Sequence, residues 1–357
     1  MSGADGTSAD GMSAGDGHGR QRRMGRGRRG GPADDGSREQ PMVPRATFSS
    51  YYGRPVLKPP AWHDDIAYYF FLGGLAACSS GLAAGADLTG RPALRRGTRA
   101  GALVALLAGT YFLVRDLGRP ARFLHMLRVA KPTSPMSMGT WILAGYGLPM
   151  GIAAVDELMP EPIRRTRLGR LVGAVARPAG LAAAGVAPPV APSTAVLISP
   201  TAVPAWHEAH EELPFIVTAS AAASAGGLGM IVAPVAEAAP ARRLAIYGAI
   251  VELAASGRLE SRLGLLAEPY LTGRAHMLLQ RAATLTAAGT LGGMMFGRRS
   301  RLAAVVSGVA LLAGGVYERL GILEAGRAST KDPKYVVQPQ RERLDRPELR
   351  TNPSSVR

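Results

Sequence analysis

The residues able to do acid–base or redox-linked chemistry gather in four short segments of this 357-residue chain. The first, SYYGRPVLKPPAWHDD, holds Tyr51, Tyr52, Trp62, His63, Asp64 and Asp65. The second, RDLGRPARFLHMLRVAKPTSPMS, holds Asp116, Arg119, Arg122, His125, Arg128 and Lys131. The third, MGTW, brings Thr140 and Trp141, and the fourth, TAVPAWHEAHEELPF, brings Trp206, His207, Glu208, His210, Glu211 and Glu212. A histidine exchanges a proton near neutral pH, and a nearby carboxylate can orient it or pass the proton onward. Beside an apolar cavity such groups suit a quinone, whose reduction takes up two electrons and two protons at its ring oxygens. The same residues allow a plainer reading, with Trp62, Trp141 and Trp206 as interfacial anchors and His63 and Asp64 capping a helix.

Metal chemistry is a poor match. His207-Glu208-x-His210 sits on a Pro-flanked loop and is not the HExxH arrangement, whose histidines lie one helical turn apart. The single cysteine, Cys78, can hold no Fe–S cluster and form no internal disulfide, and no histidine lies mid-helix to ligate haem. No metal, bound haem or cluster is expected in this chain. If it moves electrons, the metal centres belong to a partner.

The elements that must position these groups are long uncharged stretches. Ile66–Ala86, Pro132–Val155, Pro178–Trp206 and Leu213–Ala236 contain no charged side chain. At about 1.5 Å per residue, roughly 20 such residues cross the ~30 Å hydrocarbon core. The fold class expected is an all-α polytopic membrane bundle of about eight transmembrane helices. They fall at Ile66–Asp87, Ala100–Val114, Ser137–Val155, within Leu171–Ser199, and at Leu213–Ala233, Leu244–Gly257, Ala282–Gly297 and Leu302–Tyr317. The fourth carries Pro178, Pro188, Pro189 and Pro192, so a kinked or broken helix is expected there. In the first, Gly73, Ala77, Gly81 and Gly85 recur every four residues, a stripe read as a close helix–helix contact.

Mean hydropathy is only +0.07 because a hydrophobic middle is averaged with polar ends. Residues 1–50 form a Gly/Arg-rich tail without apolar periodicity, expected to be disordered; 51–325 make the transmembrane domain, and 326–357 a polar C-terminal tail. The tail's paired arginines precede no apolar stretch within reach, so an export signal is not expected. The net charge of +16 sits largely in that tail and in short loops, where arginine sets topology or meets anionic lipid, so no nucleic acid is expected as a partner. An even number of crossings puts both termini on one face together with the four polar segments. The opposite loops hold Arg91, Arg95, Arg96 and Arg99, then Arg164, Arg165, Arg167 and Arg170, then Arg242 and Arg243, then Arg298, Arg299 and Arg301. That bias makes those loops cytoplasmic and the termini external in the cell membrane, although Arg119, Arg122, Arg128 and Lys131 pull the other way.

From Tyr51 to about Gln340 the sequence resembles the NrfD-like family, the polysulphide reductase membrane subunits. The resemblance is carried by SYYGRPVLKPPAWHDDIAYYFFLGGLAA, AGADLTGRPALRR, the D-x-G-R-P-x-R-F run at Asp116–Phe123 followed by KPTSPMS, TAVPAWHEAHEELPF, and EAGRASTKDPKYVV. It implies a quinone-reactive subunit without a cofactor of its own, with no catalytic residues in this chain. Such a subunit anchors a four-cluster Fe–S protein and a molybdopterin catalytic subunit, and trades electrons with menaquinone or ubiquinone among its first four helices. By position His63 is the leading quinone contact, and Asp65, Asp116, His125, Thr140 and Trp141 are further candidates. Arg119, Arg122, Arg128 and Lys131 are candidates for the Fe–S partner interface. Two other functions compete: a purely structural anchor, and a transporter or proton-conducting bundle pointed to by Glu252 inside the sixth helix. Inverted-repeat transporters would show a matching pair of broken segments in their two halves, which this chain lacks.

Overall fold

A computed structural model describes residues 55–345, and among these there is no strand. Eight helices of twenty residues or more dominate: α1 (Asp64–Leu88), α2 (Pro92–Asp116), α3 (Pro135–Leu158), α4 (Arg167–Ile198), α5 (Leu213–Val232), α6 (Ala239–Arg262), α7 (Gly273–Met295) and α8 (Arg301–Lys331). A ninth, α9 (Lys334–Asp345), follows. Six of them, α1 to α5 and α8, are long and apolar enough to cross a membrane. The other two, α6 and α7, are of 24 and 23 residues but carry Arg242, Arg243, Glu252, Arg274 and Arg281 among others. Large apolar side chains such as Leu107, Leu148, Leu168, Tyr247 and Leu302 stand exposed on the helix exteriors, as lipid-facing residues do.

Local signals start these helices where the sequence allows. Side-chain oxygens of Ser134, Thr166 and Ser300 accept from the backbone N–H groups of Ser137, Gly169 and Ala303, capping α3, α4 and α8. Within the bundle α5 is the axial element, buried from Leu213 to Met230 against α1, α6 and α8. Small residues permit this. A Cβ on Gly227 of α5 would lie 2.8 Å from the Gly308 carbonyl of α8, and one on Gly248 of α6 would lie 2.6 Å from the Ala219 carbonyl.

Three expectations change. The fourth apolar segment is a continuous 32-residue helix with Pro178, Pro188, Pro189 and Pro192 inside it, and the chain turns only after Ile198. Each proline removes one donor, while Ala183, Ala187, Val190 and Ala191 pack on the core, and packing supplies most of a helix's stability. The eighth helix does not stop at Tyr317, and the boundary at 325 falls inside it. Glu318 and Arg319 are buried and ion-paired, so the charges that seemed to end the span continue it. The stripe on α1 is only partly a contact. Leu72 and Gly73 meet Gly109 of α2, but Gly81 and Gly85 are exposed, with open space where a Cβ would be. Residues 1–50, including the Arg-rich tail, lie outside the described residues.

The start of α1 and the end of α8 share a face. Arg327 reaches Asp64 Oδ1 at 2.7 Å with Nη1 and donates to the Trp62 carbonyl at 2.6 Å with Nη2. The Trp62 ring stacks on buried Trp206 at 5.7 Å, and Trp206 Nε1 donates to the Ile322 carbonyl at 2.8 Å. On the opposite face Asp87 and Glu157 gather Arg95, Arg99 and Arg177 into one ion-pair network joining α1 to α4.

Candidate functional site

A cavity of about 260 Å³ lies among α1, α2, α3 and α4 at the end where the polar segments converge. Its wall is mainly apolar: Ile66 and Tyr69 from α1, Leu106 and Leu113 from α2, Phe123 from the short helix Ala121–Met126, Leu143 and Gly147 from α3. Leu107 and Met136 line it and are also exposed on the exterior, so the wall opens toward lipid between α2 and α3. The volume is near the lower end of the ~300–1,000 Å³ of small-molecule sites, which also pair an apolar lining with a few placed polar groups.

Those polar groups differ in what they have left to offer. Thr110, Thr140 and Ser193 donate their hydroxyl hydrogens to the carbonyls of Leu106, Met136 and Val190 on their own helices. Thr194 is buried in the wall and its Oγ1 has no hydrogen-bond partner among the described residues. A buried hydroxyl is normally paired, so an orphan in a cavity wall asks for a ligand atom or water. Asp116 closes the end of α2, its side chain only 8 % exposed. Its Oδ1 accepts from the His63 backbone N–H at 3.1 Å and lies 3.7 Å from His63 Nδ1. Asp116, Thr194 and the Tyr69 hydroxyl, for which no partner is found among the described residues, are the groups in the wall free to bond something new.

The sequence candidates are thus divided. Asp116 and Thr140 line the cavity. His63 does not: it precedes α1 with its ring 81 % exposed, touching the site only through Asp116. Asp65 is held by Arg115 Nε at 3.0 Å, outside the wall. His125 and Trp141 are exposed and outside the lining as well. Trp62, read as an anchor, forms part of the wall. Thr194 was missed because an isolated threonine in an apolar run carries no signal until its neighbours are known. Arg119, Arg122, Arg128 and Lys131 are all exposed on the α2–α3 connection.

In the fourth polar segment, His207 Nδ1 meets the Ser199 carbonyl at 3.1 Å and His210 Nδ1 the His207 carbonyl at 2.9 Å. No group of three or more His, Cys, Asp or Glu side chains able to hold a metal occurs among the described residues. Glu212 is clamped by Arg262, with 2.6 and 2.7 Å bonds. Burial pushes its carboxyl up, but Arg262 and then Arg258 outweigh that and hold it below the usual carboxylate range.

Residues 57–253 match the family described as polysulphide reductase, NrfD. The chain belongs to the NrfD family. The match spans α1 to α5 and most of α6, and so contains every helix of the cavity. Among curated proteins no match is found. NrfD proteins are multi-pass membrane subunits of molybdoenzyme complexes, in which they associate with other redox subunits.

Proposed function

We propose that this NrfD protein exchanges electrons between an Fe–S partner and the quinone pool, with the quinone head group in the cavity among α1 to α4. The observation that carries the reading is the pairing of an apolar wall open to lipid with unspent polar groups, Asp116, Thr194 and the Tyr69 hydroxyl. A bound menaquinone or ubiquinone supplies the redox chemistry, two electrons and two protons per cycle. Thr194 Oγ1 donates to a ring oxygen and fixes its position. Asp116 takes or gives the proton at the other end, and His63, beside it and in water, relays that proton to solvent. The four-cluster Fe–S subunit docks over the same face, where Arg119, Arg122, Arg128 and Lys131 are exposed, and the molybdopterin subunit lies beyond it. Both termini face the outside of the cell membrane.

The test uses the assembled complex. Asp116→Asn keeps the acceptor for the His63 N–H but cannot ionise. Quinone-linked turnover is expected to fall roughly 10²-fold, the low end for a lost proton-transfer group, while electron transfer from the partner's substrate to artificial dyes persists. Parental quinone turnover in the assembled variant would remove Asp116 from the site, whereas no quinone turnover in the assembled parent would leave a purely structural anchor.

A second function, proton conduction, is favoured by a different observation. Glu252 of α6 and Glu318 of α8 are buried and line a cavity of about 140 Å³ that also touches His276 and exposed Glu260. Thr286 lies 3.4 Å from Glu252 Oε1, and Arg319 donates to the Val217 carbonyl at 2.6 Å. Buried intramembrane carboxylates are costly and mark proton paths. In vesicles containing the complex and a pH-sensitive dye, Glu252→Gln is expected to abolish proton movement and spare quinone turnover. Unchanged acidification would reduce Glu252 to a packing partner of Arg319.

A further inference from the structure

At the opposite face from the quinone cavity, α1 and α6 diverge and leave a groove of about 550 Å³. Its floor is Cys78, Gly81, Leu82 and Gly85 of α1, and its other wall is Pro240, Leu244 and Tyr247 of α6. Gly81 and Gly85 are exposed, and a Cβ on either would meet nothing within 4 Å. From Cys78 to Leu88 the helix rises about 15 Å, half of the ~30 Å hydrocarbon core, so the groove is one leaflet deep. It ends at Arg91 and Arg243.

These two arginines differ from their neighbours. Arg95 and Arg177 are paired with Asp87, and Arg99 with Glu157. Among the described residues neither Arg91 nor Arg243 has an ion-pair partner; the Arg91 guanidinium donates only to Thr89 Oγ1, at 2.7 Å. The acid just ahead of α6, Glu237, accepts from the backbone N–H groups of Ala93 and Leu94 at 2.8 and 3.0 Å. Arg242, next to Arg243, donates to the carbonyls of Val235 and Gly297 and brings no negative charge. The positive end of the α6 dipole lies at the same rim. An apolar slot one leaflet deep therefore ends in two guanidiniums that make no ion pair among the described residues.

We propose that this groove holds one acyl chain of an anionic phospholipid, its phosphate bound by Arg91 and Arg243. The charged rim decides the occupant. A helix from a second copy could lie along Gly81 and Gly85, but its apolar flank would leave both guanidiniums without an acceptor. A lipid phosphate at headgroup depth meets them with charge-assisted hydrogen bonds. The rim sets the preference for the headgroup and the glycine floor admits the chain.

The experiment is native mass spectrometry of the full-length chain in mild detergent, titrated with phosphatidylglycerol or phosphatidylcholine of identical chains. The parent should bind phosphatidylglycerol more tightly. Arg91→Gln with Arg243→Gln should cost that lipid about 30-fold, roughly fivefold per arginine, and cost phosphatidylcholine, whose phosphate is already offset by its choline, clearly less. Gly81→Leu with Gly85→Leu fills open space and should weaken both lipids together. Circular dichroism and the thermal midpoint report folding of each variant, and the two pairs test the site independently. Equal affinity of the parent for both lipids would overturn the proposal, as would undiminished phosphatidylglycerol binding in either folded variant. A dimer that dissociates on filling the glycines, with lipid binding intact, would put a second copy in the groove instead.

Discussion

His63 shows how a residue's role depends on its neighbour. Its ring is largely in water, and its firmest tie to the site is the backbone N–H that holds Asp116 Oδ1. His63→Phe deletes both ring nitrogens but leaves that N–H in place. Asp116 should stay positioned, and quinone-linked turnover should fall by about 10-fold or less, well short of the ~10²-fold expected for Asp116→Asn. Steady-state quinone assays on the two assembled variants compare them directly. Equal losses would show that the His63 imidazole is as necessary to proton transfer as Asp116. Thr194 makes the complementary point: Thr110, Thr140 and Ser193 in the wall have spent their hydrogens on their own helices, so its orphaned oxygen stands out only by contrast with these aliphatic hydroxyls.

At the scale of elements, glycine placement sets how closely helices approach. On α8, a Cβ at Gly308 would collide with the Gly227 carbonyl and come within 2.7 Å of Ile231 Cγ1. Both groups belong to the axial helix α5, which at this depth is held by buried Gly226, Gly227, Gly229 and Met230. Gly308→Val should therefore destabilise the bundle by about 1–3 kcal/mol, as overpacking does, and lower the thermal midpoint in detergent. Gly151→Ala in α3, where a Cβ meets nothing within 4 Å, is the control and should be neutral or slightly stabilising. An unshifted midpoint for the valine variant would mean that α5 and α8 can separate without cost. The prolines of α4 teach the converse: a local helix-breaking signal loses to a well-packed face.

For the whole molecule, the decisive contact is Arg327 with Asp64, which brings the two ends of the bundle to one face. The loop charges then assign a side. Arg95, Arg99 and Arg177 are paired with only two carboxylates, Asp87 and Glu157, and with exposed Arg96 and the unpaired Arg91 the 88–99 region stays basic. In a Cys78→Ala background, a membrane-impermeant thiol reagent applied to intact cells should label Lys334→Cys and miss Arg96→Cys. The reverse pattern would invert the orientation and leave the fold untouched.

Hydrophobic length alone determined that this chain crosses the membrane and where most helices lie, because a span needs some twenty apolar residues and few other structures supply them. The same one-dimensional pattern placed the four polar segments at one set of helix ends, and Asp116 and Thr140 among the site candidates. It misjudged where charge interrupts a span. Glu318 and Arg319 look like a helix end until each is seen to neutralise the other inside the bundle. The family resemblance put His63 first among the candidates, and only the structure shows that its ring stands largely in water beside Asp116. Only the tertiary structure decided that Asp65 is tied to Arg115, that Thr194 has an unspent hydroxyl, and that Gly81 and Gly85 face open space. Apolar periodicity is a property of one helix, whereas a hydrogen-bond partner or a void is defined by residues far away in the chain. The membrane fold can therefore be read from segments, and the site only from their assembly.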